Sequence, residues 1–149
     1  MIRVRNISPE DQSRARALIE SGLGDHFGHV DSARNPDLDD ILATYVEVGH
    51  RFYVAEDGGR LVGTAGLVLE ESAARMVRVS VCRTRRRSGI ATALLERCVE
   101  DARGLGHPWL VAHTQPEWPD SMGFYASRGF VPFGRDDVDV HLRLSLGPA

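Results

Sequence analysis

Lysine is absent from this chain of 149 residues, in which all 18 basic side chains are arginine. The chain therefore offers no lysine amine for acylation. Cysteine is nearly absent. Cys82 and Cys98 lack metal-ligand spacing, and a chain of this size does not need a disulfide, so we expect two buried reduced thiols. No apolar run approaches the roughly 18 residues of a membrane-spanning helix, so we expect no membrane partner.

Positive charge does not dominate the chain. The formal net charge is −3, so no global field attracts nucleic acid. A content of 42% hydrophobic and 26% charged residues is typical of a soluble globular protein. The first residues, MIRVRNISPED, contain no apolar stretch like that of a secretory signal. We expect one domain over residues 1–149, a cytoplasmic location and no nucleic-acid partner.

Periodicity and turn residues predict the element order β-α-α-β-β-β-α-β-α-β-β. Alternation marks a strand at 2–7. The helix that follows is expected to stop near Gly22 or Gly24, and a second helix is expected over 36–49. The later predictions are a hairpin over 51–70, a strand at 74–81, a helix over 88–103, a strand at 108–114, a helix over 119–128, and strands at 130–134 and 138–146. A mixed sheet with helices on both faces follows from this order.

Four arginines in five residues stand where the strand at 74–81 passes into the helix that begins near Ser88. A helix start leaves several N–H groups without partners and carries partial positive charge, so it suits an anion. The small residues Gly89 and Ala91 would let the main chain approach a diphosphate closely, and the arginines add charge-assisted hydrogen bonds. From this motif alone, a simple turn with solvated arginines remains an equal alternative. The chain has neither a triphosphate-binding P-loop nor a dinucleotide-binding glycine pattern.

A second segment, SMGFYASRGF, lies about 35 residues beyond the arginine-rich turn. The two segments together resemble the GNAT superfamily of N-acetyltransferases through Arg86-x-x-Gly89-x-Ala91 and Phe124-Tyr125-x-x-x-Gly129-Phe130. The predicted element order resembles that of the family across nearly the whole chain. The resemblance implies an α/β (α+β) fold, with a mixed, mostly antiparallel central sheet, splayed central strands and helices on both faces.

Members of this family bind acyl-coenzyme A, so the resemblance implies acetyl-CoA as co-substrate. It places the cofactor's pyrophosphate on main-chain N–H groups of Arg86, Arg87, Ser88, Gly89, Ile90 and Ala91. The same resemblance implies that Val81 pairs with the pantetheine arm. The N–H of Val79 would then face the thioester carbonyl and stabilise the developing oxyanion. Both valine side chains are expected to pack in the core, because these contacts use the main chain.

Tyr125 matches the family tyrosine that protonates the leaving thiolate. A general base must also deprotonate the amine, yet the strand at 74–81 contains no carboxylate. We rank Glu70 first as the base, then His113, then Glu71, all of which flank that strand or end a later one. For either glutamate taken singly, a solvated turn is the favoured interpretation.

The resemblance directs the acceptor to the N-terminal helical segment, where Phe27 and His29 are expected to line the pocket. Trp118 stands where many relatives carry an asparagine, so it is either a pocket wall or a packing residue. A metal site is conceivable at 25–31, but the spacing of its histidines and aspartates matches no standard pattern, so no metal is expected. Three aspartates, Asp37, Asp39 and Asp40, are expected to complement a helix N-terminus rather than attract an amine.

These observations predict an N-acetyltransferase that moves acetyl from coenzyme A to a primary amine by direct attack in a ternary complex. A non-catalytic module that senses acyl-coenzyme A is the alternative. Nucleic-acid binding by the RTRRR segment is disfavoured by the overall charge and by the lack of nearby aromatic residues. A small-molecule or peptide amine is the expected partner, and a monomer and a homodimer both remain open.

Overall fold

The computed structural model describes residues 1–27, 35–116 and 119–147. The seven strands of its sheet are β1 Ile2–Asn6, β2 Arg51–Asp57, β3 Arg60–Leu69, β4 Ala74–Val81, β5 Trp109–Thr114, β6 Val131–Arg135 and β7 Val140–Ser145. The three α-helices are α1 Gln12–Phe27, α2 Ile90–Gly104 and α3 Pro119–Ser127. None of the helices within these ranges is both long enough and apolar enough to cross a bilayer.

The strands form one sheet in the order β1-β2-β3-β4-β5-β7-β6. Every neighbouring pair is antiparallel except β4 and β5, which run parallel. The parallel pair is joined through α2, as a crossover between parallel strands requires. The predicted fold class, a mixed and mostly antiparallel sheet with helices on both faces, is confirmed.

Two hydrophobic cores lie on opposite faces of the sheet. Successive strand residues point to opposite faces, and β2 shows the division clearly. Tyr53 belongs to the core that includes α2 and α3, whereas Phe52 belongs to the core that includes α1. The predicted apolar stripe of α2 is confirmed, because its buried residues are Ile90, Leu94, Leu95, Cys98 and Ala102.

The predicted second helix is wrong as a single α-helix. The structure has a 3-10 turn at Pro36–Asp39 and a π-helical turn at Leu42–Val46, separated by the extended residue Asp40. The side chain of Gln12 explains the break. Its amide nitrogen donates to the carbonyl of Leu38 at 2.8 Å, and its amide oxygen accepts the N–H of Ile41 at 2.9 Å. A side chain from α1 thus satisfies main-chain groups that a continuous helix would have paired internally.

α1 is longer than expected, because it continues past Gly22 and Gly24 to Phe27. Gly22 does not end the helix. A Cβ at this position would lie 3.4 Å from the hydroxyl oxygen of Ser80, an ordinary van der Waals contact, so Gly22 lies where α1 packs on β4.

Gly63 on β3 allows the first turn of α2 to lie directly on the sheet. A Cβ there would lie 2.7 Å from Cγ2 of Ile90 and 3.0 Å from Cδ1 of Leu94.

We expect Gly63→Ala to lower the free energy of unfolding by about 1–3 kcal/mol, because the helix must shift outward. Urea denaturation measures the loss. Gly104→Ala is the control, since open space surrounds that position. An unchanged urea midpoint for Gly63→Ala would show that α2 does not rest on this glycine.

Candidate functional site

The candidate site begins where β4 and β5 separate. Their parallel pairing joins residues 74–76 of β4 to residues 110–112 of β5 and ends there. Beyond this point β4 stays paired with β3, and β5 stays paired with β7. Val79 and Val81 therefore lie on a stretch of β4 that has no strand partner on its β5 side within the described ranges. The separation leaves a cleft with unpaired main-chain groups along its edges.

β4 has a β-bulge at Arg78 and Val79, where the two strands separate. One residue of β3, Ala65, lies opposite two of β4, Arg78 and Val79. Arg78 has a φ of 51°, a left-handed conformation that is uncommon for a residue with a side chain. Its carbonyl oxygen accepts a 2.9 Å hydrogen bond from the hydroxyl of Thr64 on β3. Because a trans peptide directs its carbonyl and the next N–H in opposite directions, the N–H of Val79 points away from β3.

The bulge also changes which side chains face α2. Ala74 and Met76 belong to the core on the α2 side, and after the extra residue Val79 and Val81 pack against that same core. Without the bulge, strict alternation would have placed Arg78 there instead. The expected core packing of the two valine side chains is confirmed.

A partly buried ion pair holds the bulged residue. The guanidinium of Arg78 donates to both carboxylate oxygens of Asp37, at 2.9 and 2.7 Å, and to the amide oxygen of Asn35 at 2.9 Å. The hydroxyl of Tyr45 donates to the same carboxylate at 2.7 Å. Burial alone would raise the pKa of Asp37, but hydrogen bonds from Arg78 and Tyr45 outweigh it and lower the pKa below its usual value. Burial and the neighbouring carboxylate raise the pKa of Tyr45 to about 12.

The three aspartates of this segment have different roles. A side-chain oxygen of Asp40 accepts the N–H of Ala43 at 3.0 Å, so its role at the start of a helical turn is confirmed. Asp37 and Asp39 lie in the first turn of the 3-10 helix Pro36–Asp39, as expected, and each also pairs with an arginine, Asp37 with Arg78 and Asp39 with Arg16 at 3.0 Å.

The start of α2 presents a row of main-chain donors. Gly89 precedes the helix with a φ of 86°, and the first N–H to reach a main-chain carbonyl is that of Ala93, which donates to Gly89 at 3.0 Å. No N–H of residues 88–92 donates to another main-chain carbonyl in the part of the chain that the structure describes. The first turn has no acidic residue and no side-chain cap. A Cβ on Gly89 would meet nothing within 4 Å, so open space lies outside the turn.

The arginines beside this turn differ in their partners. Arg85 forms an ion pair with Asp57 of β2, and Asp57 also pairs with the N-terminal amine at 2.9 Å. Hydrogen bonds from Arg85 and that amine lower the pKa of Asp57. Arg85 thus ties the turn to the sheet. Arg86 and Arg87 are both exposed, and Arg87 has a φ of 65°.

Tyr125 lies on α3 with its ring in the core on the α2 side, in edge contact with Phe124 and Phe130 at centroid distances of 5.4 and 5.1 Å. Its hydroxyl has no hydrogen-bond partner within residues 1–27, 35–116 and 119–147. Every fully buried side-chain oxygen or nitrogen in these ranges has a hydrogen-bond partner, so the hydroxyl of Tyr125, which has none, is not fully buried. Burial, with a smaller contribution from Cys98, raises the pKa of Tyr125 above its usual value. The phenol therefore remains protonated and can act as a proton donor.

The two leading candidates for the general base lie at different distances from Val79. Glu70 pairs with Arg75 at 3.1 Å beside the first residues of β4, roughly 15 Å along the strand from Val79. His113 lies on β5 just beyond the point of separation. Burial first, and then the charges of His141 and Arg75, lower the pKa of His113, so its imidazole is neutral at pH 7. By position along the strands, His113 therefore lies nearer to Val79 than Glu70 does, and the choice of the base stays a prediction.

His113 is held in place by a neighbouring histidine. The rings of His113 and His141 stack with centroids 3.9 Å apart and planes 12° apart. The Nε2 of His141 lies 2.8 Å from one carboxylate oxygen of Asp136, and the other carboxylate oxygen accepts the N–H groups of Val138 and Asp139. Glu71, the third candidate for the base, lies in the exposed turn before β4.

The expected acceptor residues are only partly described. Phe27 is the last residue of α1, and its main chain alone is described. His29 and Trp118 lie outside the described residues, as does part of the 25–31 cluster. Among the residues that are described, no group of three or more potential ligands is placed to hold a metal ion.

Sequence reasoning missed the ion pair between Asp37 and Arg78 and the bulge it supports. The strand sequence does carry a local signal for the extra residue: the core-facing apolar residues stand at 74 and 76 and then at 79 and 81, so the alternation shifts by one position at Val77 and Arg78. The partner of Arg78 on the preceding turn has no such signal.

Comparison with known proteins identifies the family. Residues 15–130 match the model of the acetyltransferase (GNAT) family, so the chain belongs to that family and the resemblance is confirmed. Human N-acetyltransferase 8B is 34% identical over 123 residues, which cover 78% of this chain and 54% of that protein. The chain spans about half the length of the curated relatives it matches.

Solved structures share the fold at low identity. An acetyltransferase of the GNAT family from Staphylococcus aureus Mu50 superposes with a TM-score of 0.89 at 20% identity, covering 99% of this chain and all of the other. PaiA N-acetyltransferase from Thermoplasma acidophilum, crystallised in complex with coenzyme A, gives 0.85 at 15% identity, covering 97% of this chain and 99% of that one.

The pairing of Asp37 with Arg78 should stabilise the fold in a pH-dependent way. Because folding lowers the pKa of Asp37, its contribution is complete above the unfolded value near 3.9 and is lost as pH falls through the lower folded value. We expect Asp37→Asn to lower the free energy of unfolding by about 1–3 kcal/mol at pH 7 and by less below pH 4.

Urea denaturation at both pH values measures this difference. Asp39→Asn is the matched control, since Asp39 is an exposed aspartate in an ion pair. Its effect should stay within about 1 kcal/mol. Equal losses for the two variants at pH 7, or a loss for Asp37→Asn that does not change with pH, would refute the stabilising role.

Proposed function

We propose that this chain is an acetyl-CoA-dependent N-acetyltransferase that moves acetyl to a primary amine by direct attack in a ternary complex. The proposal depends on the arrangement of three features on connected elements. They are the unpaired main-chain donors at the start of α2, the cleft between β4 and β5, and the hydroxyl of Tyr125. We also propose that residues 1–149 act as one N-acetyltransferase domain. The related fold of a protein crystallised with coenzyme A supports the choice of donor.

The pyrophosphate of acetyl-CoA would bind at the start of α2. The N–H groups of residues 88–91 supply hydrogen bonds there, and the helix adds partial positive charge. Neither an acid nor a side-chain cap in the first turn competes for these donors. Arg86 and Arg87 carry positive charge beside the same turn, where charge-assisted bonds to phosphate oxygens are strong.

The pantetheine arm would lie between β4 and β5. Its amide groups can bond to the main chain of an unpaired strand, as an added strand does, and Val81 is the residue proposed to pair with it. Val79 follows towards the point of separation, with its N–H directed away from β3. There it would donate to the thioester oxygen as negative charge develops, which is the largest single contribution in many acyl transfers.

Two side chains would move the protons. An alkylamine with a pKa near 10.4 must lose a proton before attack, at a cost of about 4.6 kcal/mol at pH 7. His113 is neutral at this pH and would accept the proton through water. As the nitrogen bonds to the thioester carbon and the carbon–sulfur bond breaks, Tyr125 would give its proton to the leaving thiolate. Thr114 at the end of β5 donates a 2.8 Å hydrogen bond to Ser121 of α3, which links the two elements that carry these residues.

Gly89→Ala tests the binding half of the proposal. An added Cβ at a φ of 86° strains the turn, which should rotate the donors away from the pyrophosphate. We expect the affinity for acetyl-CoA, measured by calorimetry, to fall by about tenfold or more, equivalent to at least about 1.4 kcal/mol. Gly106→Ala is the matched control, because Gly106 has a φ of 83°, equally open surroundings and a place at the other end of α2. Equal affinities for both variants would remove the turn from the binding site.

Tyr125→Phe tests the catalytic half. We expect acetyl-CoA to bind unchanged and turnover with an accepted amine to fall about 10²- to 10⁴-fold, because the thiolate leaves without a proton donor. Release of free coenzyme A against a panel of amines measures turnover. Tyr53→Phe is the control, since that hydroxyl bonds to Asp101 within the fold. Binding of acetyl-CoA without thiol release for any amine would instead favour a non-catalytic sensing module.

A further inference from the structure

A second cleft lies on the sheet face that carries α1, beside β5 and outside the sequence motifs that identify the family. Its volume is about 530 Å³, and strands β5, β6 and β7 contribute most of its lining. His113 stands at one end of its β5 wall, and Trp109 stands at the other. We call it the β5–β7 cleft. An acceptor whose amine reaches His113 would extend along this cleft.

Arg143 is the unusual residue of the β5–β7 cleft. Its guanidinium carbon lies 4.0 Å from the ring centre of Trp109 and 5.0 Å from that of Phe133. Two aromatic rings from two different strands thus contact one half-buried cation. Such contacts use the faces of the guanidinium plane and leave its N–H groups, which point outward along the edges, free to donate.

The N–H groups of the Arg143 guanidinium donate to no acceptor in the described ranges, since no hydrogen bond or ion pair of this side chain is found there. The other charged residues of the cleft already have partners. Arg75 donates to Glu70 at 3.1 Å, and His141 contacts Asp136 at 2.8 Å. The β5–β7 cleft therefore contains one cation that is fixed by stacking and has unused hydrogen-bonding capacity. A planar carboxylate matches that capacity, because it accepts two parallel N–H bonds from a guanidinium.

Arg143 lies close to His113, the proposed base. In the β5–β7 register, Val111 lies opposite Arg143, and His113 lies opposite His141. Arg143 is thus two residues along the sheet from His113, roughly 7 Å by the usual rise of a strand. Both side chains line the same cleft. One small molecule could therefore place an amine at His113 and a carboxylate at Arg143.

We propose that the acceptor is an amine that also bears a carboxylate, and that Arg143 binds this carboxylate in the β5–β7 cleft. The inference rests on the proposed acetyltransferase activity. Trp109 and Phe133 fix the guanidinium plane and offer apolar surface to the rest of the acceptor. Free amino acids and short peptides with a free C-terminus share this chemistry.

The test compares acids with their neutral amides. L-amino acids and their carboxamides form one set of acceptors, and dipeptides and their C-terminal amides form a second set, which separates the two sources. Free coenzyme A release gives kcat/KM for each. We expect the wild-type protein to prefer the acid in at least one set by about tenfold or more, because one charged bidentate contact is lost with the amide.

Arg143→Gln should abolish this preference by raising the KM for acids, while kcat/KM for the amides falls by much less. An unchanged thermal unfolding midpoint shows that the variant is folded. Arg135→Gln, which removes an exposed arginine from neighbouring β6, is the matched control and should keep the preference.

Two results would overturn the inference. Equal kcat/KM values for acids and amides in the wild type, or an equal loss for both with Arg143→Gln, would contradict carboxylate recognition and leave the acetyltransferase proposal standing. Binding of acetyl-CoA without coenzyme A release for any acceptor in either set would count against both proposals.

Discussion

The parallel pairing of β4 and β5 lasts for only three residues, and the candidate site depends on where it stops. Interior strands of a sheet normally satisfy their main-chain groups on both sides. Here each strand keeps a partner on its outer side, β3 or β7, so the sheet stays intact while a cleft opens within it. A ligand with its own amide groups can fill such a cleft as an additional strand would. The fold therefore provides an extended binding site from main-chain atoms alone.

The bulge at Arg78 sets the direction of one main-chain donor at the edge of this cleft. A left-handed residue with a side chain costs about 1–3 kcal/mol and persists where its surroundings hold it. Thr64 bonds its carbonyl, and Asp37 and Asn35 bond its guanidinium, so contacts from β3 and from the 35–39 turn determine one residue's conformation. Because of the extra residue, the side chains of Val79 and Val81 stay in the core, and the N–H of Val79 is directed away from β3. Distant residues thus set the direction of one main-chain donor.

Sequence periodicity was enough to predict the strands, the stripe of α2 and the turn at Gly89, because these features depend on neighbours within a few residues. It failed where a distant partner decides the outcome. The 36–49 segment is divided because Gln12 takes its main-chain groups. The position of His113 nearer to Val79 than Glu70 follows from the strand register, which depends on residues far apart in the chain. The bulge at Arg78, by contrast, coincides with a shift of the apolar positions that is visible in the sequence of β4.

The central claim is that main-chain donors at the start of α2 bind the diphosphate of coenzyme A. Titration of the ¹⁵N-labelled protein with coenzyme A, and separately with pantetheine, which lacks the diphosphate, tests it most directly. The account predicts large amide shifts at Ser88, Gly89, Ile90 and Ala91 with coenzyme A and small ones there with pantetheine. Unmoved amides at these four residues under saturating coenzyme A would contradict it.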